Sequence, residues 1–184
     1  QDFTIKSDLS ILCFNSKQLI GNGFTIPSGP LRERLNAVSR ADCIFINGEK
    51  TQETLEFEKK ILKKSGSKKL HVFYSKYNIK NVEFLKDKKI TAFAGIGNPS
   101  NFFELLRENK LNVKKTYSFP DHHNYTDQEL DEISDDKSTI IVTTKKDYYR
   151  LKDEQKKICS YIDINLEIEK RNKFETLIKS YLWK

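Results

Sequence analysis

The chain has no methionine, one tryptophan, seven glycines, four prolines and three cysteines among its 184 residues. A primary translation product begins with Met; this chain begins with Gln1, and no signal-peptide pattern opens it. The expectation is a processed chain or a piece of a longer polypeptide. The cysteines, Cys13, Cys43 and Cys159, are odd in number and far apart. That spacing excludes a disulfide framework and a cysteine-based metal site, and points to buried, reduced thiols of a cytosolic compartment. So few glycines and prolines exclude a collagenous chain, and 11% aromatic residues argue against wholesale disorder. No run approaches the roughly 18 uninterrupted apolar residues of a membrane-spanning helix.

What is present is charge of one sign. Lysine and arginine total 33 against 26 acidic residues, a net +7, and arginine is confined to positions 32, 34, 40, 107, 150 and 171. A basic, lysine-rich surface suits nucleic acid, an anionic membrane surface or a phosphorylated substrate, and equally a merely solvated exterior. Hydrophobic residues make up 37%, and the length fits one domain, or one domain plus part of another.

Apolar β-rich runs recur at Leu9–Phe14, Cys43–Asn47, Leu70–Ser75, Ile90–Ile96, Lys115–Phe119, Thr139–Thr143 and Tyr161–Ile168. Helical patterns lie between them. One follows Pro30 over Leu31–Ala41. Thr51–Lys64 carries acids first and lysines last, as the helix dipole favours. Pro99–Glu108 has Asn98 as N-cap and Pro99 at the first helical position. Thr126-Asp127-Gln128-Glu129 is a capping box leading through Leu130 and Ile133, and Lys173–Trp183 closes the chain. Strands alternating with helices predict an α/β fold: a mainly parallel sheet with flanking helices. The lysine-rich stretch Lys59–Lys69 is the best candidate boundary.

In open α/β sheets ligands bind beyond the carboxyl ends of strands, so motifs there carry most weight. Gly21-Asn22-Gly23…Pro27-Ser28-Gly29-Pro30-Leu31-Arg32-Glu33 fixes tight turns and launches a helix with Arg32 in its first turn. It can hold a phosphate on exposed N–H groups and the guanidinium, or serve as a structural loop. Phe93-Ala94-Gly95-Ile96-Gly97-Asn98-Pro99 begins like a dinucleotide fingerprint but has Ser100 at the third glycine position, so close packing at a strand-to-helix turn explains it better. Phe119-Pro120-Asp121-His122-His123 places two of three histidines between a strand and a capped helix. Imidazole titrates near neutrality and is the natural proton carrier, and Asp121 can orient it; a structural role is equally open. The cluster lacks the further ligands of a closed metal site. Thr143-Thr144-Lys145-Lys146-Asp147 can bind phosphate or cap a helix.

In this order the four motifs resemble tetraacyldisaccharide 4'-kinase, the lipid A 4'-kinase of Gram-negative bacteria. The resemblance also rests on Arg40-Ala41-Asp42 before the strand ending Asn47-Gly48, on Phe102-Phe103, and on Thr144-x-Lys146-Asp147, and it runs from Gln1 to about Leu151 and more loosely to Lys184. It implies a P-loop kinase-like protein with a Rossmann-like C-terminal lobe and a two-stranded hinge, for which Leu70–Ser75 and Tyr161–Ile168 are the candidates. Residues 1–69 would then be the remainder of the P-loop lobe, 70–168 the C-terminal lobe with the hinge strands, and 169–184 a closing helix. In the family a P-loop and an Asp-Asp-Gly-Phe-Gln segment precede this region. Gln1 resembles the last residue of that segment, and no Gly-x4-Gly-Lys-[Ser/Thr] occurs in the chain. The missing N-terminal lobe is thus an expected partner, and the chain alone is expected to be inactive.

The resemblance implies transfer of the γ-phosphoryl group of ATP, with Mg²⁺, to the 4'-hydroxyl of a tetraacylated disaccharide 1-phosphate, at the cytoplasmic face of the bacterial inner membrane. The family pairs a carboxylate of the N-terminal lobe with the His of its Asp-His motif, which matches His122. Asn22, Arg32 and Lys146 match motif positions expected to line the ATP site. Gly21, Gly23, Asp121 and His123 are expected to shape the site or meet the substrate. Lys145 stands where the family usually has an acid. Lys59, Lys60, Lys63 and Lys64 would favour an anionic bilayer, and no nucleic-acid partner is expected. The rivals are a stand-alone α/β nucleotide-binding module without catalysis and, well below it, a metal-dependent phosphoesterase using Asp121-His122-His123. Asp2, Asp8 and Asp42 do not form the upstream pattern that the phosphoesterase reading needs.

Overall fold

The structure is a computed structural model and describes residues 4, 7–66, 69–80 and 82–182. From the amino terminus the elements are β1 (Ile11–Asn15), a 3-10 helix (Leu35–Arg40), β2 (Cys43–Asn47), α1 (Gln52–Lys64) and β3 (His71–Ile79). There follow α2 (Val82–Leu85), β4 (Lys89–Ala94), α3 (Pro99–Glu108), β5 (Asn112–Ser118), α4 (Asp127–Ile133), β6 (Ile140–Thr144) and α5 (Lys145–Tyr148). Then come α6 (Asp153–Lys156), β7 (Ser160–Ile162), β8 (Ile164–Ile168) and α7 (Arg171–Leu182). Two compact units result: Gln1–Tyr77 with Leu166–Lys184, and Asn78–Asn165. The chain passes from one to the other within β3 and returns within β8, neighbours in one sheet.

The first unit is built on the sheet order β1-β2-β3-β8. β1, β2 and β3 are parallel, in a register that aligns Asn15 with Asn47 and Asn47 with Ser75 at their carboxyl ends. Four of the five residues of β2 are buried, the pattern of a parallel strand covered on both faces. Ile44 and Ile46 pack with Val38, Phe57, Ile61 and Leu70, while Cys43, Phe45 and Phe73 meet Phe174 and Leu177. α1 begins with a capping box between Thr51 and Thr54, followed by Glu53 in its first turn, and Lys63 and Lys64 complement its last turn. α7 docks through Phe174, whose ring meets Phe45 edge-on at 4.8 Å. Trp183, expected in this helix, lies outside the described residues, as does Gln1.

The second unit has the order β5-β4-β6-β7, all parallel. Five of the six residues of β4 are buried. One face packs Ala92 and Ala94 on Phe102, Phe103 and Leu106 of α3; the other packs Phe93 on Tyr125, Leu130 and Ile133. The capping box that opens α4 forms between Thr126 and Glu129. Asn98 stands at the N-cap of α3 without a side-chain cap bond, and Pro99 opens the helix.

The α/β architecture with mostly parallel strands is as expected, with local differences. The helix expected over Leu31–Ala41 is only the 3-10 helix Leu35–Arg40. The Leu31 N–H donates to Phe24 O and its carbonyl accepts from Ile26, tying it into an extended bridge with Thr25. Arg34 is still extended at the helix cap, so Arg32 precedes the helix rather than occupying its first turn. The single strand expected over Tyr161–Ile168 is two, β7 and β8, in different sheets. The break is Asp163, whose carbonyl accepts from the Lys80 N–H and whose carboxylate meets Lys80 and Lys145. Cys43 and Cys159 are buried as expected, but Cys13, on β1, is exposed. Burial, first of all, pushes the Cys43 thiol up to about 11 and that of Cys159 to about 12, so neither is a ready nucleophile.

Candidate active site

Three strands of the second unit end in the motifs singled out above. Gly95 and Gly97 follow β4, Asp121, His122 and His123 follow β5, and Lys145, Lys146 and Asp147 follow β6. Parallel alignment puts all three at one edge of the sheet, the edge where open α/β sheets bind ligands.

Asp121, His122 and Lys146 come together there. The Lys146 ammonium donates to Asp121 Oδ1 at 3.1 Å and lies 3.5 Å from His122 Nε2. Asp121 Oδ1 also accepts the His122 N–H at 3.1 Å. Its Oδ2 is 3.8 Å from His122 Nε2, an ion-pair distance and not a hydrogen bond. The hydrogen bond from Lys146 holds the Asp121 carboxyl below its ordinary range. The His122 side chain is 72% exposed. Its backbone is left-handed, at φ 62°, which is uncommon for a residue with a side chain. In the tautomer protonated on Nδ1, Nε2 is the ring's acceptor, turned to the Lys146 ammonium, and is the atom that can take a proton from an incoming hydroxyl.

His123 is placed differently. Its Nε2 lies 3.0 and 3.1 Å from the two Glu129 carboxylate oxygens, and its ring stacks on Phe119 at 4.8 Å. Glu129 also accepts from the Thr126 N–H and hydroxyl. The hydrogen bond from the Thr126 backbone N–H, then that from the His123 side chain, lowers the Glu129 carboxyl to about 2. His123 thus ties the loop to the start of α4.

Asp147 is fully buried. Its Oδ2 accepts the Gly95 N–H at 3.0 Å and the Thr144 hydroxyl at 2.7 Å, and its Oδ1 pairs with Arg150 at 3.2 Å. Thr144 caps α5 by accepting the Asp147 N–H. Of the two roles open to this motif, capping describes Thr144 and Asp147, while Lys146 turns to Asp121.

The remaining expected residues lie in the first unit, in the loop after β1. Gly21 and Gly23 have φ 54° and 79°, left-handed turns that glycine adopts without cost. Asn22 spans the loop: Nδ2 donates to Ser28 O at 2.8 Å and Oδ1 accepts the Phe24 N–H at 3.1 Å. Both ends of its carboxamide are engaged in loop structure. Arg32 is exposed and lines a cleft of about 780 Å³ with residues of β1 and Glu33. No group of three or more His, Cys, Asp or Glu side chains among the described residues is arranged to hold a metal ion.

The family model described as tetraacyldisaccharide-1-P 4'-kinase matches residues 1–182. The chain belongs to this family. A tetraacyldisaccharide 4'-kinase of Pelagibacter ubique is 39% identical over 97% of the chain, which spans 58% of that relative. Another, of Rickettsia bellii, is 34% identical over 90% of the chain and is spanned to 50%. The chain therefore covers between half and three-fifths of the length of these relatives. A crystal structure described as the "apo" form of LpxK from Aquifex aeolicus in complex with ATP superposes with a TM-score of 0.64 at 24% identity. It covers 97% of this chain and 54% of the other and shows the same fold.

Within this kinase family member, sequence reasoning passed over Glu129 as more than a cap, and over Arg150 and Tyr125 altogether. Arg150 reaches Gly95 O at 3.3 Å and also donates to His123 O. The Tyr125 hydroxyl is buried, with no hydrogen-bond partner of good geometry among the described residues, and burial, then the charge and closeness of the Asp147 carboxylate, push its phenol well above the ordinary range. The available signal was the i, i+3 spacing of Asp147 and Arg150 directly after a capping threonine; the residues they reach are far away in sequence.

Proposed function

We propose that this chain is part of an enzyme that transfers the γ-phosphoryl group of ATP to the 4'-hydroxyl of a tetraacyldisaccharide 1-phosphate, with His122 as the general base. The observation that carries this reading is the cluster at the carboxyl ends of β5 and β6. An exposed imidazole stands there beside an ammonium and a carboxylate, in a chain whose family is named for that reaction. Phosphoryl transfer demands positioning and charge stabilisation, with a base at the attacking hydroxyl. His122 Nε2 would take the hydroxyl proton. Lys146 would face the anionic phosphates, and Asp121 would hold Lys146 beside the imidazole. Arg32, on its cleft in the first unit, suits an anionic group of ATP. Asn22, Gly21 and Gly23 would shape that loop, and His123 the loop that carries His122.

Mg²⁺ commonly arrives with ATP phosphates and one or two carboxylates. In this reading Mg²⁺ would come bound to the ATP phosphates, and the Asp121 carboxylate is engaged by Lys146. The activity would belong to a longer polypeptide that supplies the P-loop and the lobe absent from this chain. At the bilayer, Lys59, Lys60, Lys63 and Lys64, all exposed on α1, would favour the anionic cytoplasmic face of the inner membrane. No helix among the described residues is long and apolar enough to cross a membrane.

The test is His122→Ala in the full-length protein, assayed with ATP and the detergent-dispersed lipid disaccharide. Loss of a general base predicts a fall in kcat of about 10²–10⁴-fold with ATP binding retained. Turnover equal to the parent refutes it.

A further inference from the structure

Charged residues deep in a fold are costly, and a buried ion pair can often be replaced by apolar side chains without loss of stability. Asp147, fully buried, and Arg150, 22% exposed, are such a pair. What they bind is informative. Asp147 Oδ2 holds the Gly95 N–H at 3.0 Å, and Arg150 Nη1 holds the Gly95 carbonyl at 3.3 Å. Both polar groups of one peptide position beyond β4 are thus gripped by residues of α5 and the turn after it. The Gly95 carbonyl also accepts the His122 N–H at 3.3 Å, and Arg150 Nη2 donates to the His123 carbonyl. The guanidinium therefore clamps the His122 loop directly and through Gly95.

His122 needs such a clamp. Its left-handed backbone persists only where the surroundings over-determine it. The bonds that do so are His122 N–H to Gly95 O and to Asp121 Oδ1, His123 N–H to Pro120 O, and Arg150 to His123 O. Asp147 also accepts the Thr144 hydroxyl and so fixes the first turn of α5, which carries Lys146 to within 3.5 Å of the imidazole.

We propose that Asp147 and Arg150 are positioning residues that set the place of the His122 imidazole through the Gly95 backbone; the proposal rests on His122 being the general base. A misplacement on the order of 1 Å in a reacting group can cost about a hundredfold in rate. Only a planar fork with several donors can meet Asp147 Oδ1, Gly95 O and His123 O together, and a lysine cannot.

The experiment is steady-state kinetics on the full-length protein with Arg150→Lys, Asp147→Asn, His122→Ala and the double variant Arg150→Lys/His122→Ala. Arg150→Ala would leave Asp147 buried without its charge partner and threatens folding, so Arg150→Lys, which keeps the charge, is the primary variant. Expected is a fall in kcat of roughly 10- to 100-fold for Arg150→Lys and Asp147→Asn, with KM for ATP and lipid within about twofold. On the His122→Ala background, Arg150→Lys should cost nothing further, because an absent imidazole has no position to lose. An equal fold-loss on both backgrounds assigns the pair a purely structural role and overturns the proposal, as does an unchanged kcat for Arg150→Lys. Full activity of His122→Ala would instead sink the general-base reading, and the positioning role with it.

Discussion

Gly95 tests the packing beneath the His122 loop. Its backbone is not left-handed, so an alanine there would meet no strain of its own, only neighbours. A Cβ added at this position lies 2.6 Å from Tyr125 Oη, 3.1 Å from Pro120 O and 3.4 Å from Asp147 Oδ1. The first two are too close, and neither neighbour yields easily. The Tyr125 ring is held among Phe93, Phe119 and His123 at centroid distances of 5.1, 5.2 and 5.1 Å, and Pro120 O is backbone. Over-packing of this kind costs about 1–3 kcal/mol, which at 2–4 °C per kcal/mol is a fall in Tm of roughly 2–12 °C. The specific cause can be isolated. Tyr125→Phe removes the nearest atom, a buried hydroxyl with no hydrogen-bond partner of good geometry among the described residues, so alone it should be close to neutral or mildly stabilising. Gly95→Ala/Tyr125→Phe should then recover about half or more of the loss, a coupling of roughly 1 kcal/mol. Urea and thermal melts of the four proteins measure it. Gly95→Ala within about 0.5 kcal/mol of the parent, or a double variant equal to the sum of the singles, refutes the account.

Three further outcomes follow from the same geometry. Glu129, lowered from 4.5 to about 2, contributes stability that is fully present above pH 4.5 and lost as the pH falls towards 2. Thermal melts of the parent and Glu129→Gln should therefore differ at neutral pH and converge across that window; a constant gap would rule out the titration of Glu129 as the cause. Lys146→Ala removes the main influence holding the Asp121 carboxyl low, so its midpoint, followed by carboxyl-carbon NMR, should rise; an unmoved midpoint would show that the ion pair does not form in solution. Neutralising Lys59, Lys60, Lys63 and Lys64 together should weaken sedimentation of the full-length protein with anionic vesicles, at about 1 kcal/mol per lysine near the surface, and leave neutral vesicles unaffected; undiminished binding removes α1 from the membrane reading.

Local signals identified much of this fold. Thr126 begins α4 because a capping box is satisfied by residues three apart, and α1 shows in the order of its charges, Glu53 early and Lys63 and Lys64 last. Pro99 opens α3 because its missing N–H is not needed there. β2 and β4 are legible as short apolar runs because a central parallel strand is covered on both faces. The order of motifs sufficed to point to the family. Wherever an outcome depended on partners distant in the chain, local pattern was silent. Leu31 has the neighbours of a helix yet is extended, because Phe24 and Ile26 bond its backbone. Tyr161–Ile168 has unbroken strand character, yet Asp163 divides it between two sheets, since propensity says nothing of which strand is alongside. His122 and His123 are adjacent letters with opposite environments, one exposed beside Lys146 and the other bonded to Glu129. Asp147 stands in a motif open to phosphate binding or capping and Arg150 carries no local signal, and only the folded chain brings them to Gly95, 52 and 55 positions away. Caps, strand runs and motif order are properties of neighbouring residues and so belonged to the sequence; the burial of Asp147, the backbone of His122 and the company of each histidine arise from contacts across the sheet edge, and those exist only once the strands are aligned.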